Sequence, residues 1–203
     1  LGAPHLSWYQ LTIEANTRFY RDPPLLPEED ILGDLEERGA ARLADAGFRR
    51  YEISAWARPG QECRHNLNYW RFGDYLAVGA GAHGKLTDEG GRVLRYRKTR
   101  RPEDYLADGG TTRRDVRYLD EADRRGEFMM NALRLAGGFE DRLFEARTGL
   151  SPSVLDATAD ELIEKGLLER QGGCLRASAL GWRFLDDVVG RFFAAPAGQA
   201  GRR

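Results

Sequence analysis

The sequence predicts an α/β chain whose later part is a small winged-helix-like α+β domain. Three observations carry this. Strand, helix and strand patterns follow one another in the first 54 residues; a glycine-rich stretch stands at the carboxyl end of the second strand; and the periodicity turns helical after about residue 112.

In "LGAPHLSWYQLTIE", Leu6, Trp8 and Gln10 alternate with Ser7, Tyr9 and Leu11, as a strand requires. The chain lacks an initiator Met, and a buried strand with no element ahead of it is an orphan. The expectation is a piece cut from a longer protein, its first strand belonging to a sheet begun upstream. After the Pro-rich "NTRFYRDPPLLP", Pro27 marks a helix start and Glu28, Glu29 and Asp30 suit the positive end of its dipole. Ile31, Leu32, Leu35, Leu43 and Ala46 give this helix an apolar stripe before Gly47. "FRRYEIS", residues 48–54, reads as a second strand, so the unit is βαβ and implies a parallel sheet.

"DYLAVGAG" is expected to add a short strand and "RVLRYRKT" an exposed basic one, followed by a short helix at "RPEDYLAD". A boundary near Thr112 then separates residues 1–112 from 113–193. "DEADRRGEFMMNALRLAGG" reads as an amphipathic helix stopped by Gly137 and Gly138, and "FEDRLFEARTG" as a shorter one. Ser151 caps a third with Pro152 in its first turn; strands around Gly172 and Gly173 and a last helix, "ALGWRFLDDVVGRFF", complete the winged-helix-like module. Residues 194–203 read as a disordered tail.

A chain of 203 residues can bury a sizeable core. Its 31 basic and 32 acidic side chains nearly cancel, so nothing global draws it to nucleic acid or anionic lipid. Two distant cysteines, Cys63 and Cys174, are neither a disulfide framework nor a metal cluster, which points to a reducing, cytoplasmic setting. No apolar run approaches the roughly 18 residues of a membrane span.

The chemistry concentrates in "CRHNLNYWRFGDYLAVGAGAHGK", residues 63–85. In "RHNLNYW", His65 can ligate a metal or heme iron through a neutral imidazole, Asn66 can orient it, and Tyr69 with Trp70 offers flat apolar faces to a macrocycle. By spacing alone, such a pattern is more often a capped turn with two buried aromatics. In "GAGAHG", glycines 79, 81 and 84 let a ligand approach the backbone without Cβ obstruction, or simply make a tight bend. The pattern is not a dinucleotide fingerprint, because no helix starts inside it. Thr12 and Glu14 end the first strand, "FMM" reads as helix core, "RYRKTRRPED" as a solvated edge, and His5 as a strand residue.

"HLSWYQLTIEANTRFY", "YEISAWARPGQECRHNLNYWRFGDYLAVGAGAHGK" and "EFMMNALRLAGG" followed by "LFEARTGL" resemble the HemW-type heme chaperones. These are radical S-adenosylmethionine relatives of oxygen-independent coproporphyrinogen III oxidase. The resemblance runs from about Pro4 to Phe193, and its specific part is the His-Asn-x-x-Tyr-Trp motif. It implies the closing part of a partial (β/α) barrel followed by the winged-helix-like domain. It places heme contact on His65, Asn66, Tyr69 and Trp70, with His65 toward the iron, and S-adenosylmethionine contacts on Thr12, His83, Gly79 and Gly81. The family's four-iron four-sulfur cluster uses a Cys-x-x-x-Cys-x-x-Cys motif that these 203 residues lack, so the cluster belongs to a missing N-terminal part of the parent.

The function expected is therefore that of a cytoplasmic heme chaperone handing heme to an acceptor protein, with no catalytic residue in this chain. The alternative is coproporphyrinogen III oxidase itself; His-Asn-Leu-Asn-Tyr-Trp favours the chaperone. A nucleic-acid-binding winged helix is disfavoured, because the would-be recognition helix carries Asp156, Asp160, Glu161 and Glu164 against Lys165.

Overall fold

Antiparallel pairing organises every sheet in the computed structural model, which describes residues 2–193. The expected disordered tail, 194–203, lies outside the described residues. The chain divides into two compact units, Leu1–Cys63 and Arg64–Arg203.

The first unit contains β1 (His5–Ser7), α1 (Arg18–Arg21), α2 (Glu29–Asp45), β2 (Arg49–Glu52) and β3 (Ala55–Ala57). Helix α2 lies where the acidic start and apolar stripe placed it, with Glu29 and Asp30 in its first turn. The parallel pairing expected of a βαβ unit is not made. Sheet order is β1-β3-β2 with antiparallel neighbours, so β1 and β2 point the same way but β3 lies between them. The cause is a reversal at Ile53 and Ser54, inside the stretch expected to be one strand. There the Glu52 carboxylate accepts from the Ser54 amide at 3.1 Å and from its hydroxyl at 3.3 Å. Ala55, Trp56 and Ala57 are all buried.

Helix α2 rests on the Trp8 ring through Gly39, where a Cβ would stand 2.0 Å from that indole. A Glu36–Arg50 pair at 3.0 Å ties α2 to β2. The expected apolar stripe is nevertheless open: no residue of α2 is buried, and Ile31 and Leu35 are exposed.

The second unit begins with α3 (Arg64–Trp70), then β4 (His83–Thr87), β5 (Val93–Arg97), α4 (Pro102–Ala107) and β6 (Arg114–Tyr118). These strands form an antiparallel sheet in the order β4-β5-β6. The strand expected at "DYLAVGAG" is absent; only a bridge between Tyr75 and Lys85 forms there. Beyond Thr112 the chain continues as strand β6 before any helix. The segment ahead of it is pinned, since the buried Lys98 ammonium donates to the carbonyls of Gly110 at 2.8 Å and Thr111 at 3.1 Å.

Helix α5 (Glu121–Ala132) starts under an Asp120 cap. Next come β7 (Phe139–Glu140), α6 (Asp141–Thr148), a 3-10 turn (Pro152–Leu155), α7 (Asp156–Glu164), β8 (Leu168–Gln171), β9 (Cys174–Ala177), α8 (Ala179–Arg183) and α9 (Leu185–Phe193). The hairpin β8–β9 gains β7 as a third strand, in the order β7-β9-β8. The last predicted helix is two helices, broken at Phe184. Phe128 stands at the centre of this unit's core, edge-on to Phe72, Phe139 and Phe144 at 5.8, 4.9 and 5.1 Å. Each fully buried Phe contributes roughly 1.5–3 kcal/mol.

Candidate heme-binding helix

The residues Arg64, His65, Asn66, Leu67, Asn68, Tyr69 and Trp70 form a helix, α3, rather than a capped turn. His, Asn, Tyr and Trp are indifferent helix formers, so tertiary anchors must hold it. Most sit just beyond its carboxyl end. Gly73 N–H donates to the Asn68 carbonyl at 2.8 Å, and the Asn68 side chain donates to the Asp74 carbonyl at 3.0 Å. Phe72 adopts φ 55°, a left-handed conformation uncommon for a bulky residue, while its ring is fully buried. Lys85 Nζ lies 4.2 Å from that ring's centroid.

The anchor continues through Asp74. It accepts from Lys85 Nζ at 2.8 Å, from the Thr87 amide at 2.8 Å and from the Thr87 hydroxyl at 3.0 Å. Burial pushes the Asp74 carboxyl upward, but the hydrogen bonds from Lys85 and Thr87 outweigh it and leave its pKa below the usual value. Burial also dominates at Lys85 and drives its ammonium pKa down against the pull of Asp74. The two partners thus differ on whether the pair gains. The difference follows exposure, because Lys85 is 1% exposed and Asp74 37%.

On the helix, His65 and Tyr69 stand one turn apart, as do Asn66 and Trp70. His65 and Tyr69 are exposed; Asn66 and Trp70 are half-buried. No hydrogen bond engages His65 among the described residues, so its imidazole is available to a ligand. Tyr69 meets Trp70 edge-on at 5.2 Å and Tyr75 at 5.3 Å. Burial, foremost, raises the Tyr75 phenol above its ordinary pKa, and its hydroxyl bonds to Arg95, which pairs with Glu127 at 2.6 Å. The Trp70 indole N–H is buried with no partner among the described residues, and the Arg134 guanidinium lies 5.7 Å from its ring centroid.

The glycines make a bend held by two tyrosines. Gly79 has φ 104° and donates to the Tyr105 hydroxyl at 3.1 Å; Gly81 has φ 71° and donates to the Thr99 carbonyl at 2.8 Å. Gly84 is buried, and a Cβ there would lie 2.3 Å from the Tyr96 ring, whose hydroxyl accepts from the Ala77 amide at 3.0 Å. His83 is exposed at the start of β4. Thr12 belongs to the first unit, on an exposed irregular segment between β1 and α1. The four heme candidates therefore share one helix, and Gly79, Gly81 and His83 share the bend that follows it. Sequence reasoning missed Tyr75 and Arg134, which complete the aromatic cluster. Their signal is weak, a Tyr six positions past the motif and an Arg beside a helix end.

Residues 119–184 match the HemN C-terminal domain. The heme chaperone HemW of Escherichia coli K12 is 44% identical over 194 residues, which cover 96% of this chain and 51% of that protein. The heme chaperone HemW of Haemophilus influenzae is 43% identical, with 95% and 50% covered. Over nearly its whole length the chain is similar to the HemW heme chaperones. It spans about half the length of these HemW relatives. A mouse relative, radical S-adenosyl methionine domain-containing protein 1, mitochondrial, is 33% identical over 91% of the chain and 45% of its own length. In fold, the chain matches the coproporphyrinogen III oxidase HemN of Escherichia coli, a radical SAM enzyme. The TM-score is 0.59 at 14% identity, covering 83% of this chain and 42% of that one. The α/β architecture is thus shared with that structure over the matched region.

Proposed function

We propose that this chain is the heme-contacting part of a HemW-type chaperone, which binds heme as cargo and passes it to an acceptor protein. The observation that carries the reading is α3: an exposed imidazole without a hydrogen-bond partner among the described residues, an exposed phenol one turn away and a half-buried indole beside it. These residues fit heme. His65 supplies a neutral nitrogen for iron, Tyr69 and Trp70 flat apolar surface, and Asn66 a polar group one residue away.

The family also implies S-adenosylmethionine and a four-iron four-sulfur cluster. With two cysteines, these 203 residues cannot supply the three thiolates of that motif. For S-adenosylmethionine the candidates stay Thr12, His83, Gly79 and Gly81. Nothing lies within 4 Å of where a Cβ would stand at Gly79, which leaves that side of the bend open to a ligand. No helix among the described residues is long and apolar enough to cross a membrane.

Hemin titration of the chain and of His65→Ala tests the reading. The wild type should bind with a shifted Soret band and His65→Ala should lose that shift; identical spectra would remove His65 as the ligand. The match to HemN keeps a coproporphyrinogen III oxidase as the second reading. Protoporphyrinogen formation by the full-length, cluster-loaded protein would establish it.

A further inference from the structure

Arg134 follows α5 in "LRLAGG" and has a place in the site that the motif does not assign. Its Nε donates to the Met130 carbonyl at 3.0 Å, which fixes the guanidinium plane, and the group lies 5.7 Å from the Trp70 ring centroid. The carboxylate within 4.0 Å of it among the described residues is that of Asp186. It lies 3.7 Å away, beyond hydrogen-bond distance, and its side chain is 96% exposed. Arg134 is itself only 27% exposed. A partly buried cation is thus held in place, and among the described residues its terminal amino groups face only the loose, solvent-exposed carboxylate of Asp186. Arg95, the other guanidinium of the cluster, is committed to Glu127 at 2.6 Å.

We infer that Arg134 binds a carboxylate of the ligand, presented at the edge of a planar ring that spreads from His65 toward Trp70. The inference rests on the heme reading above, heme being a flat metal-bearing ring with carboxylates at its rim. Trp70 lies five residues beyond His65, about 7.5 Å of helical rise and roughly 140° of turn, so the ring must lie across the flank of α3 where Tyr69 and Asn66 stand between the two. One ring can therefore offer its metal to the imidazole and an edge carboxylate to the guanidinium. A guanidinium fork takes a carboxylate in a bidentate manner that an ammonium does not reproduce, and the position over an indole face leaves the fork's edge free for this contact.

The test compares hemin with hemin dimethyl ester, whose carboxylates are masked, on the wild type, Arg134→Met, Arg134→Lys and His65→Ala, with circular dichroism as the control for folding. The wild type should prefer hemin over the ester by about tenfold or more. Arg134→Met should bind both forms as the wild type binds the ester. Arg134→Lys should keep only part of the preference, and His65→Ala should weaken both forms while leaving their ratio. An unchanged ratio in Arg134→Met, with His65→Ala still weakened, overturns the role of Arg134 and leaves the heme site standing. If Arg134→Met does not fold, an unchanged ratio in Arg134→Lys has the same force. Should His65→Ala bind hemin as the wild type does, His65 is not the ligand; should the wild type bind neither form, the heme reading itself falls.

Discussion

Asp74 is the side chain on which the candidate helix depends most directly, because it joins the segment after α3 to β4. Its folded pKa is lowered, so its contribution is fully present above the ordinary carboxylate pKa of about 3.9 and fades as pH falls through the lower folded value. Acid titration followed by the tryptophan fluorescence of the α3 region should therefore show loosening below about pH 4 that Asp74→Asn already displays at neutral pH. Identical acid profiles for the two proteins would mean that Asp74 does not anchor the helix. At the same scale, legibility was uneven. His65, Asn66, Tyr69 and Trp70 stand out as a motif, but the partners that orient them do not. Arg134 reaches Trp70 from just past the end of α5, 64 positions along the chain, and no local pattern in a sequence records such a contact.

Elements were legible where a local signal was long. Helix α2 shows acidic residues at its start, a glycine after its end and an apolar spacing between, and it lies within two residues of where these place it. Strand β3 has three residues, too few to show alternation, and its insertion turned an expected parallel pair into two antiparallel ones. Strand β6, "RDVRY", is polar enough to pass for a linker. Helix α3 has weak propensity and exists because Phe72 and Asp74 lock its end. The winged-helix-like elements read more clearly, since capping residues and glycines mark their limits. Their core turns on one ring of α5. Phe128→Ala should cost about 3–5 kcal/mol in a denaturant titration, and a loss under 1 kcal/mol would show that the aromatic cluster is not the centre of the fold.

For the whole molecule, the sequence supplied the right class and family resemblance, while sheet order needed the three-dimensional arrangement. Burial is unevenly shared between the units. The aromatic and aliphatic core of the second unit runs from Phe72 to Phe192, whereas among the described residues of the first those buried are Glu52, Ala55, Trp56 and Ala57. Ile31 and Leu35 on α2 stay open to solvent, as do Leu25 and Leu26 ahead of it.

That open stripe has a kinetic side. A helix with nothing sealed beneath it unravels by local fluctuation, so in deuterium oxide the amide protons of α2 should be replaced well before those of α5. Mass spectrometry of the exchanged chain would register the order, and equal protection of the two helices would mean that α2 is clamped more firmly than its solvent-facing side chains suggest.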